Sequence, residues 1–99
     1  MTLLTTSSIV KQLEKHKSEL RSFSVLKIGL FGSFLHGSAT KVSDIDFLVT
    51  LDKPTFDHYM DLKFFLEKLF NRKVDLVLEN NLKPALRYVQ EEASYAKIA

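Results

Sequence analysis

Three short runs of β-forming residues, set apart by turn residues or by helical spacing, limit this chain to a sheet of few strands backed by helices. The first covers residues 25–31, Val-Leu-Lys-Ile-Gly-Leu-Phe, and is stopped by Gly32-Ser33. The second, residues 44–51, opens with Asp44-Ile45-Asp46 and continues as an almost unbroken apolar run, the pattern of a strand covered on both faces. The third, residues 73–78, is Lys-Val-Asp-Leu-Val-Leu, with Asp75 in its middle.

Helical signals fill the intervals. Thr5-Thr6-Ser7-Ser8 offers hydroxyl caps ahead of Ile9, Leu13 and Leu20, which predicts a helix over residues 7–20. Pro54 suits a first helical turn, and Asp57 complements the positive end of the helix dipole. Tyr59, Leu62, Leu66, Leu69 and Phe70 then recur at helical spacing, flanked by Phe56 and Phe65, until Asn71-Arg72 breaks the pattern. Glu79-Asn80-Asn81 reads as a turn, and Pro84 is expected to open a last helix carrying Leu86, Val89, Ala93 and Ala96. The expectation is an α/β (α+β) fold with a three-stranded or slightly larger sheet, and one domain over residues 1–99. The helical crossover between the second and third strands permits parallel pairing.

Composition narrows the classes. There is no Cys, so a disulfide framework and thiolate metal sites are excluded, and a reducing cytoplasm fits. The first residues lack a basic, apolar leader pattern, and no apolar run approaches the roughly 20 residues that span a bilayer. A soluble, cytoplasmic protein is expected. The formal net charge is only +2, with Lys and Arg interspersed among acids, so nucleic acid is not expected as a direct partner.

The chemistry-bearing residues fall where the strands begin and end. Residues i and i+2 of a strand share a face, so Asp44 and Asp46 project together, about 6–7 Å apart at their Cα atoms. Two carboxylates on one face of an apolar strand repel each other and lose hydration unless a cation lies between them. Magnesium suits oxygen ligands and keeps coordination sites for water and phosphates. Asp75 on a neighbouring strand could add a third carboxylate, and three can hold two metals about 3.5–4 Å apart, the clamp used in phosphoryl transfer. Gly32 permits positive φ and a close backbone approach, and the Ser33 hydroxyl with successive N–H groups can cradle phosphate, with Gly37 helping to close the loop. Taken singly, Gly32-Ser33 is also a plain turn, and Asp44 or Asp46 a strand-start acid facing water.

Leu30-Phe31-Gly32-Ser33, ten residues, then Asp44-Ile45-Asp46 resembles the Gly-Ser-x10-Asp-x-Asp signature of the DNA polymerase β-like nucleotidyltransferase superfamily. In so short a chain it looks like the minimal nucleotidyltransferase (MNT) branch, in particular the MntA-like antitoxins encoded beside HEPN-domain toxins. The resemblance implies a small nucleotidyltransferase fold in which Gly32 and Ser33 hold the triphosphate. It implies that Asp44 and Asp46 bind Mg2+, and that Asp75, the third carboxylate, helps to activate the acceptor hydroxyl. It further implies ATP as substrate and AMPylation of a tyrosine on a HEPN ribonuclease.

The sequence departs from many relatives where Phe34 and His36 replace arginines after Gly-Ser, which removes a bidentate phosphate clamp from that loop. His36 could donate to phosphate or stand exposed in the loop; Lys41 is a second such candidate. His16 and His58, read as having no acidic or His neighbour at ligand spacing, are assigned no function. No base is paired with Ser33, so it is a phosphate ligand rather than a nucleophile. Two other functions remain open: a binding module acting by stoichiometric occlusion through the terminal helices, with Tyr88, Val89 and Tyr95 as surface, and a small-molecule nucleotidyltransferase.

Overall fold

The computed structural model describes residues 4–40 and 43–98. A four-stranded mixed sheet in the order β3-β2-β1-β4 organises them, formed by β1 (Val25–Phe31), β2 (Ile45–Leu51), β3 (Val74–Leu78) and β4 (Ser94–Tyr95). β1 pairs antiparallel with β2 and with β4, whereas β2 and β3 run parallel. The parallel pair is possible because α3 (Phe56–Phe70) carries the chain back along the sheet. Thr55 caps α3 by accepting the His58 N–H, so Pro54 lies just before the helix rather than in its first turn. Asn71, at φ 51°, ends it in the left-handed conformation that asparagine tolerates.

The expected first helix divides into α1 (Thr6–Lys15) and α2 (Lys17–Ser22), with His16 between them. A reciprocal Thr5–Ser8 capping box starts α1. His16 leaves helical geometry at φ −104° and ψ 26°, with its ring edge-on to Phe65 at 5.9 Å between centroids. His16 does have an acidic neighbour, contrary to expectation, since its Nδ1 lies 2.9 Å from Glu19 Oε2. The His58 ring meets the Lys53 carbonyl at 2.8 Å. Both are local helix contacts.

The expected C-terminal helix is corrected more deeply. Pro84–Leu86 forms a single 3₁₀ turn, α4 is only Tyr88–Glu92, and the chain then turns extended to add β4 beside β1. Ala93 and Ala96 are therefore not on a helix face. Tyr95 explains the change. Its ring covers Gly29, where a Cβ would come within 2.7 Å of it, and its hydroxyl donates to Glu79 Oε1 at 2.8 Å. Glu79 also accepts from Thr50 (2.7 Å), and Lys27 Nζ lies 3.6 Å away and 4.2 Å above the Tyr95 ring.

The main core lies on the helix-covered face, where Ile9, Leu13 and Leu20 meet Ile28, Leu30, Phe47, Val49, Leu62 and Leu66. Leu48 and Val89 are buried outside that cluster, consistent with cover on the other face of β2 as its unbroken apolar run suggests. β3 is an edge strand, and α3 guards it: Tyr59 donates to the Leu76 carbonyl at 2.6 Å, and Glu67 accepts from the Val74 N–H at 3.1 Å. No helix among the described residues is long and apolar enough to cross a membrane.

Burial pushes the Glu79 carboxyl up, but the Thr50 and Tyr95 hydroxyls and the Lys27 charge outweigh it, so its net shift is downward. A carboxylate held low in the folded state stabilises above its ordinary titration range, and that stability is lost as pH falls through the folded value. Tyr95→Phe is expected to cost about 1 kcal/mol at neutral pH and to shrink that acid-side loss. Urea denaturation from neutral to acid pH measures both; equal stability of the two proteins at neutral pH would contradict the role given to the hydroxyl.

Candidate active site

Strand direction brings the expected residues to one end of the sheet. β1 runs antiparallel to β2, so its C-terminal Phe31 lies opposite Asp46 near the start of β2. β3 runs parallel to β2, so Asp75 lies opposite the same Asp46 near its own start. Residues in register on adjacent strands share a face, and Asp46 and Asp75 are therefore side by side. Asp44 precedes β2 and is exposed, as is Asp75, while Asp46 is half-buried.

Gly32 and Asp46 are in close contact. Gly32 has φ +76°, and a Cβ on it would lie 2.1 Å from Asp46 Oδ2, so only glycine meets both the backbone and the space requirement. The Ser33 backbone N–H lies close enough to the Asp46 carboxylate to favour its charged form. The chain then winds through one tight turn, with His36 N–H donating to the Gly32 carbonyl at 3.1 Å and Ser38 N–H to the Ser33 carbonyl at 2.9 Å. The turn that ends β1 is thus built directly against the acid of β2.

The electrostatics are those of a site short of positive charge. Burial raises the Asp46 pKa most, the Asp75 carboxylate raises it further, the Ser33 N–H opposes, and Asp44 adds to the rise. Both neighbouring acids thus act on Asp46 as like charges. Among the described residues no group of three or more His, Asp or Glu side chains is drawn together as a ready metal cage. Carboxylates that repel one another do not close into one without a cation. The donor set nevertheless fits a hard divalent ion: oxygen ligands only, from neighbouring strands, with one partly desolvated by the fold.

Phe34 is buried and packs into the core, and the Arg72 guanidinium lies 5.2 Å from its ring. Arg72 also donates to the carbonyls of Thr40 and Ser43, both at 3.1 Å, bracing the segment that leads into β2. In the sequence Arg72 marks only the end of a helix; the parallel pairing of β3 with β2 sets it level with the loop before β2. His36 is exposed, with Nε2 3.3 Å from Glu92 Oε2, which ties the turn to α4. Lys41 lies outside the described residues.

A cavity of about 410 Å³ opens beside this cluster, bounded by Gly32 and Asp75 on one side and by Leu82, Leu86, Tyr88 and Val89 on the other. Of the three residues considered as an occlusion surface, only Tyr88 is mostly exposed; Val89 is buried and Tyr95 is held by Glu79.

Comparison with known proteins agrees with this geometry. Residues 13–98 match the family described as "Nucleotidyltransferase domain". The chain belongs to that family: it is a nucleotidyltransferase. It is 40% identical over 88 residues to the protein adenylyltransferase MntA of Thermococcus cleftensis, an alignment covering 87% of this chain and 89% of that protein. It is also 40% identical over 82 residues to a candidate protein adenylyltransferase of Methanocaldococcus jannaschii, covering 79% and 82% of the two chains. A solved structure described as a candidate minimal nucleotidyltransferase superposes with a TM-score of 0.78 at 30% identity, covering 94% of this chain and 97% of the other. The fold recurs, at TM-score 0.60 and 22% identity, in a structure of the tri-AMPylated Shewanella oneidensis HEPN toxin in complex with MNT antitoxin, covering 87% and 70%.

A carboxyl whose pKa is raised by folding adds stability at low pH, which is lost as pH rises through the folded value. Asp46→Asn keeps the shape of the side chain and removes the charge. In metal-free neutral buffer the variant is expected to melt above the parent protein, and the gap should close in acid. Thermal melts with chelator across pH test this; a variant less stable at neutral pH would contradict it.

Proposed function

We propose that the chain is an MntA-like antitoxin that transfers AMP from ATP to a tyrosine of a HEPN-family toxin. The observation that carries the reading is the meeting of Gly32, Ser33, Asp46 and Asp75 at one end of the sheet, with Asp44 just ahead of β2. The 40% identity to MntA of T. cleftensis, over most of both chains, supports protein adenylylation as the particular reaction. The association of an MNT antitoxin with an AMPylated HEPN toxin in S. oneidensis supports the partner. Residues 1–99 are read as one minimal nucleotidyltransferase domain, acting in the cytoplasm, where ATP is abundant and a chain without Cys needs no oxidising compartment.

In this reading Asp44, Asp46 and Asp75 hold Mg2+, which when bound neutralises phosphate charge and the mutual repulsion of the acids. Gly32 lets the triphosphate approach the backbone, and Ser33 supplies its hydroxyl and N–H to phosphate oxygens. Asp75, exposed at the mouth of the cavity, takes the proton from the incoming tyrosine hydroxyl. That oxygen attacks the α-phosphorus in line and pyrophosphate leaves. The protein positions and neutralises; it forms no covalent intermediate of its own.

The decisive assay combines the chain, magnesium, α-labelled ATP and the HEPN ribonuclease encoded beside it. Label is expected on a toxin tyrosine. Replacing both Asp44 and Asp46 by Ala should remove several kcal/mol of transition-state stabilisation, so labelling falls by roughly a hundredfold or more. Labelling that survives the double replacement would overturn the reading, as would toxin neutralised without any transfer.

A further inference from the structure

We propose that the protein also adenylylates itself, with Tyr88 as the acceptor. The inference rests on the adenylyltransferase reading above and adds a modification site on the chain itself.

The three tyrosines differ sharply in what their hydroxyls do. Tyr59 is half-buried and donates to the Leu76 carbonyl at 2.6 Å. Tyr95 donates to Glu79 at 2.8 Å, with the Lys27 ammonium over its ring. Tyr88 is 54% exposed, and its hydroxyl has no hydrogen-bond partner among the described residues. A phenol already donating to a carboxylate or a buried carbonyl must break that bond before it can attack phosphorus. Burial also pushes both phenols up from the ordinary tyrosine range, so each gives up its proton less readily.

Place separates them as well. Tyr88 lines the same cavity of about 410 Å³ as Gly32 and Asp75, so it shares a chamber with the phosphate turn and the carboxylate that takes the acceptor proton. Leu82, Leu86 and Val77 make the walls apolar, which suits an aromatic ring. The His36–Glu92 contact at 3.3 Å links the turn after β1 to the far end of α4, which Tyr88 begins. The substrate class inferred for the toxin, an exposed tyrosine delivered beside Asp75, is thus present within the chain.

The step balances as it does for the toxin. The Tyr88 oxygen forms a bond to the α-phosphorus of ATP, the bond from that phosphorus to the bridging oxygen breaks, and pyrophosphate departs. The phenolic proton passes to the Asp75 carboxylate. The product is a Tyr88 phosphodiester carrying AMP.

The test uses the purified chain alone with magnesium and α-labelled ATP, followed by intact mass and tandem mass spectrometry, beside a parallel reaction containing the HEPN toxin. One adenylyl group per chain, located on Tyr88, is expected. Tyr88→Phe, which keeps the ring and whose folding is checked by its melting curve, should lose the label by at least about tenfold. Label located on Tyr59, Tyr95 or a residue of another type would overturn the inference, whatever the behaviour of the variant. So would an unlabelled chain in a reaction that labels the toxin, and in that case the adenylyltransferase reading stands. If neither protein is labelled, both fail together.

Discussion

The contact between Gly32 and the Asp46 carboxylate sets the limits within which the rest of the site is built. A backbone with φ +76° and no room for a Cβ admits glycine alone. The antiparallel β1–β2 pair fixes where that contact falls, and the parallel β2–β3 pair then brings a second acid level with the first. Reversing the direction of β3 would send Asp75 away from Asp46. The α3 crossover is therefore a requirement of the site as much as of the fold.

That arrangement carries a cost: burial first, and the neighbouring acids after it, raise the Asp46 pKa, so its ionised form is disfavoured in the folded chain. At the other end of the sheet the opposite holds. Glu79 gathers two hydroxyls and an ammonium, is shifted downward, and ties the end of β3 to β1, β2 and β4. At one end of the sheet the acid is compensated by hydroxyls and an ammonium, and at the other Asp46 is flanked by further acids.

Much of this was legible in the residues. The three long strands were marked by β-forming runs, α3 by its apolar stripe, and the meeting of Gly32 with Asp46 by the spacing of Gly32-Ser33 to Asp44 and Asp46. The close packing of Gly32 on Asp46 gives that spacing its physical reason. What could not be read was mostly long-range. Leu86, Val89, Ala93 and Ala96 have helical spacing, yet a two-residue strand wins because Gly29 leaves room for the Tyr95 ring and Glu79 accepts its hydroxyl. Those partners are distant in sequence, so no local pattern announces them. Arg72 likewise looked like a helix breaker until strand pairing set it beside the Thr40 and Ser43 carbonyls.

The central claim is that acids from two strands, abutting the turn after β1, share a divalent cation. Manganese, a paramagnetic substitute for magnesium, reports this directly by broadening the amide NMR signals of nearby residues. Added below stoichiometry with a non-hydrolysable ATP analogue, it should broaden the signals of Gly32, Ser33, Asp46 and Asp75 first and leave Ser24 and Asp52, at the opposite ends of β1 and β2, sharp. Uniform broadening, or broadening centred elsewhere while those four stay sharp, would contradict the account.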